Sequence, residues 1–112
     1  MKKNNLITII IILTIILLSI IILNKTGSKI SEEEAKCIGQ NSIIYVQEGC
    51  SHCIKQEEMF GENYKYLNVV DCVYEKEKCI TEGIKATPTW IIKGKVYEGF
   101  QTKDKLKEIT GC

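Results

Sequence analysis

An uncharged apolar run near the N-terminus, Leu6 to Leu23, decides how much of this chain can form a globular domain. The run contains eighteen residues, nearly all Ile or Leu, without a charge, a proline or a glycine. As a helix it would rise about 27 Å, which is enough to cross the hydrocarbon core of a bilayer. The sequence therefore predicts a cytoplasmic stub and transmembrane anchor in 1–23, a polar tether in 24–30 and one small domain in 31–112.

The charges that flank the run favour a cytoplasmic N-terminus. Lys2 and Lys3 precede it, whereas Lys25 and Lys29, which follow it, are diluted by three glutamates. By the positive-inside rule, the C-terminal domain is then extracytoplasmic in a single-pass protein of the cell membrane. A cleaved signal peptide is the alternative, but its apolar region is normally shorter and the residues after Leu23 match a small-x-small cleavage site poorly. Both interpretations export the domain.

Six cysteines are a high count for a chain of 112 residues, and all of them lie after the apolar run. A core of this size gives little net stability, so covalent cross-links would be useful. This cysteine usage favours an oxidising compartment over a reducing cytosol. Thirteen lysines and fourteen acids after Leu23 leave the domain nearly neutral. Because no basic patch with interleaved aromatics appears, the sequence predicts no nucleic-acid binding.

Local patterns in the domain alternate between helix and strand signals, beginning with a Ser31 cap followed by three glutamates. The expected elements are helix 31–39, strand 42–47, helix 50–60, strand 64–70, a short helix within 71–83, strands 90–92 and 96–98, and helix 103–109. A strand–helix–strand crossover favours parallel pairing, and the closing glycine turn adds a hairpin. The predicted fold class is therefore α/β, with a thioredoxin-like four-stranded mixed sheet flanked by helices and preceded by the transmembrane helix.

Cys50-Ser51-His52-Cys53 stands where the first strand gives way to a helix. Two intervening residues allow the sulfurs to bond, and the first sulfur would lie at the helix N-terminus. Unpaired amides and the helix dipole favour an anion there, so the pKa of Cys50 is expected to lie below that of a free thiol. Since the thiolate is the attacking species, Cys50 is the predicted nucleophile and Cys53 the resolving thiol.

His52, the only histidine, has two interpretations. It is either a solvated residue of the first helical turn or a partial positive charge that stabilises the Cys50 thiolate. The second is favoured in this motif, and it would make the disulfide a stronger oxidant. A zinc site would need two more ligands, and His52 lies between the thiols where it cannot easily join both on one metal. The sequence thus predicts no metal and no cofactor.

Pro88 is the only proline of the chain. It could simply begin a strand with a trans peptide bond. Its position just before the third strand of a Cys-x-x-Cys domain instead favours a cis bond after Thr87, facing the cysteine pair. Thr87 and Pro88 are therefore candidate catalytic-site residues together with Cys50, Cys53 and His52.

These motifs resemble the thioredoxin-like partner domain of bacterial vitamin K epoxide reductase homologues. The resemblance covers residues 43–111, and its specific parts are the Cys-x-His-Cys motif and the Thr-Pro-Thr-Trp segment at 87–90. It implies an oxidising thiol carrier that passes its disulfide to exported proteins and is reoxidised by a membrane quinone reductase. Two departures matter: Ser51 stands where many such oxidases have proline, and the strand before the motif lacks the buried acid of thioredoxins.

Four further cysteines allow three connectivities. Cys72 and Cys79 flank an expected helical turn, so their pairing is the simplest, with two free thiols as the alternative. Cys37 and Cys112 would then tie the entry helix to the C-terminus, unless Cys112 is free or intermolecular. In the chain-entropy model the two loops are worth about 2.5 and about 4.5 kcal/mol.

The predicted function is an exported, membrane-anchored thiol–disulfide oxidoreductase with exported protein thiols as substrates and a membrane redox partner. One alternative is a reductase or isomerase that receives its electrons from the cytoplasm. The other is a copper chaperone that uses Cys50 and Cys53. Copper carriers of this fold need a further soft ligand, for which only Met59 and His52 lie nearby in the sequence.

Overall fold

The computed structural model describes residues 2–25 and 29–112. Its first helix, α1, spans Lys2–Lys25 and is long and apolar enough to cross a membrane, as a membrane span or a signal sequence would be. The three hydroxyl side chains within its apolar part, Thr8, Thr14 and Ser19, donate hydrogen bonds of 2.8–2.9 Å to carbonyls of the preceding turn. Because these hydroxyls are satisfied within the helix, they add little to the cost of burying it in lipid.

Four more helices, one 3-10 helix and four strands follow in the described part of the domain. In chain order they are α2 (Glu32–Asn41), β1 (Ser42–Val46), α3 (Ser51–Phe60), the 3-10 helix (Gly61–Tyr66), β2 (Val69–Asp71), α4 (Lys76–Thr81), β3 (Thr89–Ile92), β4 (Lys95–Glu98) and α5 (Lys103–Thr110). The β3–β4 turn has positive φ at both Lys93 and Gly94, as a two-residue hairpin turn requires.

The strands form one sheet in the order β2-β1-β3-β4. β1 pairs with β2 in parallel and with β3 antiparallel, and β3 pairs with β4 antiparallel. β1 and β2 are connected through α3 and the 3-10 helix, and β3 and β4 are connected by the tight turn. This arrangement confirms the predicted thioredoxin-like α/β fold with a four-stranded mixed sheet.

Alternation along the strands creates a separate core on each face of the sheet. Ile44 and Trp90 face α2, α3 and α5, and they pack with Phe60 and Leu106 in the larger core. Tyr45 and Val70 face the opposite side, where a smaller core includes the cysteine of α4, Cys79. The helix that begins at the cysteine motif therefore belongs to the larger core, which fixes its start relative to the sheet.

The predicted strand 64–70 was wrong over most of its length. Residues 61–66 form the 3-10 helix, and β2 begins only at Val69. The alternating aromatic and polar residues suggested a strand, but Tyr64 contacts Phe60 four residues earlier, with ring centroids 6.4 Å apart. The Leu67 N–H also bonds to the Tyr64 carbonyl across a helical turn. Packing against α3 thus overrides the local β propensity.

Two predicted boundaries also move. α2 continues past Gly39 to Asn41. A Cβ atom at position 39 would lie 2.1 Å from the Tyr66 carbonyl oxygen. The glycine therefore allows close packing and does not end the helix. The predicted tether, 24–30, is shorter at both ends: α1 runs through Lys25, and Ile30 is buried in the larger core. Residues 26–28 of that tether lie outside the described residues.

Glu34 links α2 to α5 and closes the cap of its own helix. It forms a capping box with Ser31, in which its carboxylate accepts a 3.0 Å bond from the Ser31 N–H. The ammonium groups of Lys103 and Lys107 lie 3.1 Å from the same carboxylate. The Ser31 amide and these two cations lower the pKa of Glu34 to about 2.

We expect Glu34→Gln to destabilise the full-length protein near neutral pH. The folded-state pKa of Glu34 lies below its unfolded value, so its ionised form stabilises the fold above about pH 4.5, and this is lost as pH falls toward about 2. Since solvent partly screens the carboxylate, the gain should be about 1 kcal/mol. Urea unfolding in detergent micelles at several pH values measures it.

Glu33→Gln is the matched control, because Glu33 is an exposed carboxylate of the same helical turn. It should leave the unfolding free energy nearly unchanged. An equal loss in both variants, or a Glu34→Gln effect that persists at pH 2, would contradict the assigned link.

Candidate active site

The turn after β1 places Cys50 at the start of α3. The Cys50 N–H bonds to the Gln47 carbonyl at 3.1 Å, and Gly49 between them has a φ of 82°, which a residue with a side chain adopts at a cost. Cys50 is the N-cap residue of α3, and its own carbonyl accepts the Ile54 N–H at 3.1 Å. These backbone hydrogen bonds hold Cys50 in position independently of the contacts that its sulfur makes.

Cys50 and Cys53 form a disulfide with their Cα atoms 5.2 Å apart. The Cys53 N–H points at the Cys50 sulfur, 3.2 Å away, in the position where a cap side chain normally accepts. Cys50 is half-buried, whereas Cys53 is 6% exposed. An incoming sulfur can thus reach Cys50 more easily than Cys53. A negative charge on Cys50 would be stabilised by the Cys53 N–H, which points at its sulfur from the first turn of the helix.

The segment before β3 lies against this disulfide. The Thr87–Pro88 peptide bond is cis, and the Thr87 carbonyl oxygen lies 3.4 Å from the Cys50 sulfur, although 37 residues separate the two in the chain. Pro88 is fully buried behind it. The structure therefore brings four of the five candidate site residues into one cluster.

His52, the fifth, occupies the first turn of α3 with an exposed side chain. The helix places it on the solvent side of the motif, while Cys53 turns toward the core. Its effect on the Cys50 thiolate stays a prediction.

A cleft of about 430 Å³ borders the buried sulfur of Cys53, and Glu57, Tyr64 and Asp71 line it. β1 itself carries no carboxylate, and the carboxylates that line this cleft belong to Glu48, Glu57 and Asp71. Burial, with smaller effects of Glu57 and Asp71, raises the pKa of Tyr64 to about 12, so the phenol stays protonated. Only the folding of α3 against the 3-10 helix and β2 brings these groups together.

Gln56 is a buried residue of the site region that the sequence analysis missed. It is 0% exposed on α3, and its side-chain oxygen accepts from the Trp90 indole N–H at 3.2 Å and from the Gln101 N–H at 2.8 Å. Its amide nitrogen donates to the Gln101 carbonyl at 3.0 Å. Leaving such buried groups without partners costs about 1–3 kcal/mol each. The sequence signal for its burial was its position between Cys53 and Phe60 on the same face of the helix.

The structure pairs the other cysteines as Cys72–Cys79 and Cys37–Cys112, with Cα separations of 5.7 and 6.0 Å. The first pair lines a small cavity, about 100 Å³, together with Thr87. Since the Ile84 N–H bonds to the Cys79 carbonyl at 2.9 Å, this disulfide supports the segment that leads to Thr87. The second pair joins α2 to the C-terminal residue.

Within residues 2–25 and 29–112, no group of three or more His, Cys, Asp or Glu side chains is placed to hold a metal ion. All six cysteine sulfurs, which lie within the described residues, are engaged in disulfides.

The chain was compared with family models, with known proteins and with solved structures. No family model matches the chain. It is 44% identical over 71 residues to a protein of Arabidopsis thaliana named thiol-disulfide oxidoreductase LTO1, and this match covers 55% of the chain but only 19% of that protein. Among solved structures, the solution structure of oxidised thioredoxin from Plasmodium falciparum matches with a TM-score of 0.44 and 20% identity, covering 72% of this chain and 89% of that one.

An accessible sulfur joined to a buried sulfur at a helix N-terminus is the arrangement that disulfide exchange requires, because one sulfur must be attacked and the other must leave and return. This arrangement, on a thioredoxin-like sheet, supports the predicted enzyme class, a thiol–disulfide oxidoreductase with a Cys-x-x-Cys pair.

We expect replacement of both Cys72 and Cys79 by Ala to lower stability more than it lowers activity. The pair closes a short loop, with a sequence separation of 7, and its loss should cost about 2.5 kcal/mol in the chain-entropy model. Unfolding measurements and the rate of disulfide exchange per folded molecule test this expectation. An exchange rate that falls while the unfolding free energy stays constant would show that the pair takes part in turnover.

Proposed function

We propose that this protein is an exported, membrane-anchored oxidase that donates disulfides to the thiols of exported proteins. The observation that carries the proposal is the Cys50–Cys53 disulfide, with its accessible sulfur at the N-terminus of α3 and beside Thr87. The Arabidopsis relative is itself named a thiol–disulfide oxidoreductase, and the chain spans 19% of its length.

The proposed reaction begins when a thiolate of the substrate attacks the Cys50 sulfur. A substrate–Cys50 disulfide forms, the Cys50–Cys53 bond breaks, and Cys53 leaves as a thiolate that takes up a proton. A second substrate thiolate then attacks the substrate sulfur of the mixed disulfide and releases Cys50. The substrate loses two electrons and two protons, which the cysteine pair gains as two thiols.

The groups around the Cys50 sulfur support the oxidising direction. The helix N-terminus and the Cys53 N–H interact favourably with a Cys50 thiolate, so they favour the reduced protein over the disulfide. His52 would add to this, because a partial positive charge in the first turn also favours the anion. Each 1.4 kcal/mol raises the reduction potential by about 30 mV, so these effects shift it by tens of millivolts above a thioredoxin-like value of about −270 mV.

The proposed location rests on two features of the chain. α1 has the length and apolar composition of a membrane span, and the positive charges before it favour a cytoplasmic N-terminus. The Cys72–Cys79 and Cys37–Cys112 disulfides belong in an oxidising compartment. An extracytoplasmic domain held at the membrane would meet secreted polypeptides as they emerge.

Each turnover leaves the cysteine pair reduced, so a further oxidant must restore the disulfide. We propose that a membrane quinone reductase of the vitamin K epoxide reductase type takes these two electrons. The resemblance of the Cys-x-His-Cys and Thr-Pro-Thr-Trp segments to the partner domains of such enzymes supports this choice. Anchoring by α1 would keep the domain next to such a partner.

Cysteine variants test the proposed roles of the two sulfurs. In Cys53→Ala, the Cys50 thiolate can attack a disulfide of an exported protein, which forms a mixed disulfide and releases the other substrate sulfur as a thiol. Because no Cys53 thiol remains to resolve this bond, we expect mixed disulfides to accumulate as reducible high-mass bands on non-reducing gels. Cys50→Ala should give none, because the remaining Cys53 is buried. Bands of equal intensity from the two variants would refute the assignment of Cys50 as the attacked sulfur.

The anchor is tested by the N-terminus of the mature protein. We expect protein purified from membranes to begin at or near Met1 and to resist extraction with carbonate, because the uncharged helix α1 should stay in the bilayer. A mature N-terminus close to Gly27, with the domain in the soluble fraction, would instead indicate a cleaved signal peptide.

A further inference from the structure

A chain of contacts runs from the Cys50 sulfur to the closing segment of the sheet. The Thr87 carbonyl oxygen lies 3.4 Å from the Cys50 sulfur. The next residue, Pro88, accepts a 2.7 Å hydrogen bond from the Gly99 N–H. The segment that holds Thr87 against the sulfur is therefore itself held by the segment that follows β4.

Gln56 connects that second segment back to the helix of the active site. Both backbone groups of Gln101, two residues after Gly99, bond to the Gln56 side chain, with the N–H at 2.8 Å and the carbonyl at 3.0 Å. Gln56 lies on α3 three residues after Cys53. The contacts thus form a closed ring that starts at Cys50, passes through the two segments and returns to the other half of the disulfide.

This ring requires an uncharged side chain at position 56 that can both accept and donate. The indole N–H of Trp90 and the N–H of Gln101 can only donate, so they fix which end of the Gln56 amide is the oxygen. The Gln101 carbonyl can only accept, so it requires the amide NH₂. Because Gln56 is 0% exposed, water cannot readily take over any of these bonds.

We propose that Gln56 is a positioning residue for disulfide exchange, because its buried amide closes the ring that holds the Thr87–Pro88 segment against the Cys50 sulfur. Gln56 touches neither sulfur and acts only through Gln101 and the Gly99–Pro88 bond. The link to catalysis rests on the proposed function, whereas the effect of the ring on Cys50 does not.

The ring affects which form of Cys50 is favoured. A carbonyl oxygen close to a sulfur accepts a hydrogen bond from the thiol but repels the thiolate. Opening the ring would free the Thr87 carbonyl to move away, so the reduced protein would hold more Cys50 thiolate at a given pH. A residue that served stability alone would lack this effect.

The first test compares Gln56→Met with Leu106→Ala in the full-length protein in detergent micelles. Met preserves the shape but removes all three hydrogen bonds, whereas Leu106 is buried in the same core on α5 and lies outside the ring. After mild reduction of the Cys50–Cys53 pair, the rate of iodoacetamide alkylation at Cys50 is followed by mass spectrometry at pH values below the thiol titration. We expect about a threefold or greater rise for Gln56→Met, half a pKa unit or more, and no change for Leu106→Ala.

A second variant keeps the test open if Gln56→Met does not fold. Gln56→Glu is isosteric, and its carboxyl group can donate to the Gln101 carbonyl only when it is protonated. The ratio of its Cys50 alkylation rate to that of the wild type should approach one at low pH and depart from one as the carboxyl ionises. A ratio independent of pH would overturn the proposal.

The proposal also fails if Gln56→Met lowers the melting temperature as Leu106→Ala does while Cys50 alkylation stays at the wild-type rate. Failure of the proposed function has a different signature. A wild-type protein that does not oxidise peptide thiols would refute the oxidase assignment, yet the alkylation rates would still report whether Gln56 positions the segment beside Cys50.

Discussion

The position of the Cys50 sulfur at the N-cap of α3 is the constraint on which the rest of the site depends. The sulfur takes the place of a capping oxygen, so an otherwise unpaired amide, the Cys53 N–H, points at it. This interaction favours a negative charge on the Cys50 sulfur, while the helix directs Cys53 toward the core. The glycine turn at Gly49 fixes the start of α3, and burial of Phe60 anchors its end. The start of α3 therefore determines which sulfur is accessible and which sulfur can best carry a negative charge.

A domain this small holds that geometry with few apolar residues, and covalent and polar links supplement them. The Cys37–Cys112 disulfide and the Glu34 ion pairs both join α2 to the C-terminal region. Cys72–Cys79 supports the segment before β3 on the other face of the sheet. These links supplement the apolar core that holds Cys50 and Cys53, and Cys50 stays only half-buried.

Local sequence signals predicted the parts of the fold in which neighbouring residues determine the outcome. The β-branched run at 42–46, the spacing of Cys50 and Cys53 and the glycine turn into β4 carry their own geometry. The prediction of a strand at 64–70 was wrong, because contact with Phe60 favours a 3-10 helix at 61–66. Gln56 was missed because a glutamine resembles a solvent residue until its partner, 45 residues later, is brought beside it. Its spacing from Cys53 and Phe60 marks a buried helix position, but no local pattern in the sequence shows which distant group pairs with it.

We propose that the environment of Cys50 makes the pair an oxidant, and the reduction potential of the Cys50–Cys53 couple tests this most directly. Equilibration of the full-length protein with glutathione buffers, with the pair quantified by alkylation and mass spectrometry, gives that potential. We expect a value clearly above the thioredoxin-like value of about −270 mV, and a lower value in His52→Ala. A wild-type potential at or below about −270 mV that is unchanged by His52→Ala would contradict it and indicate a reductase.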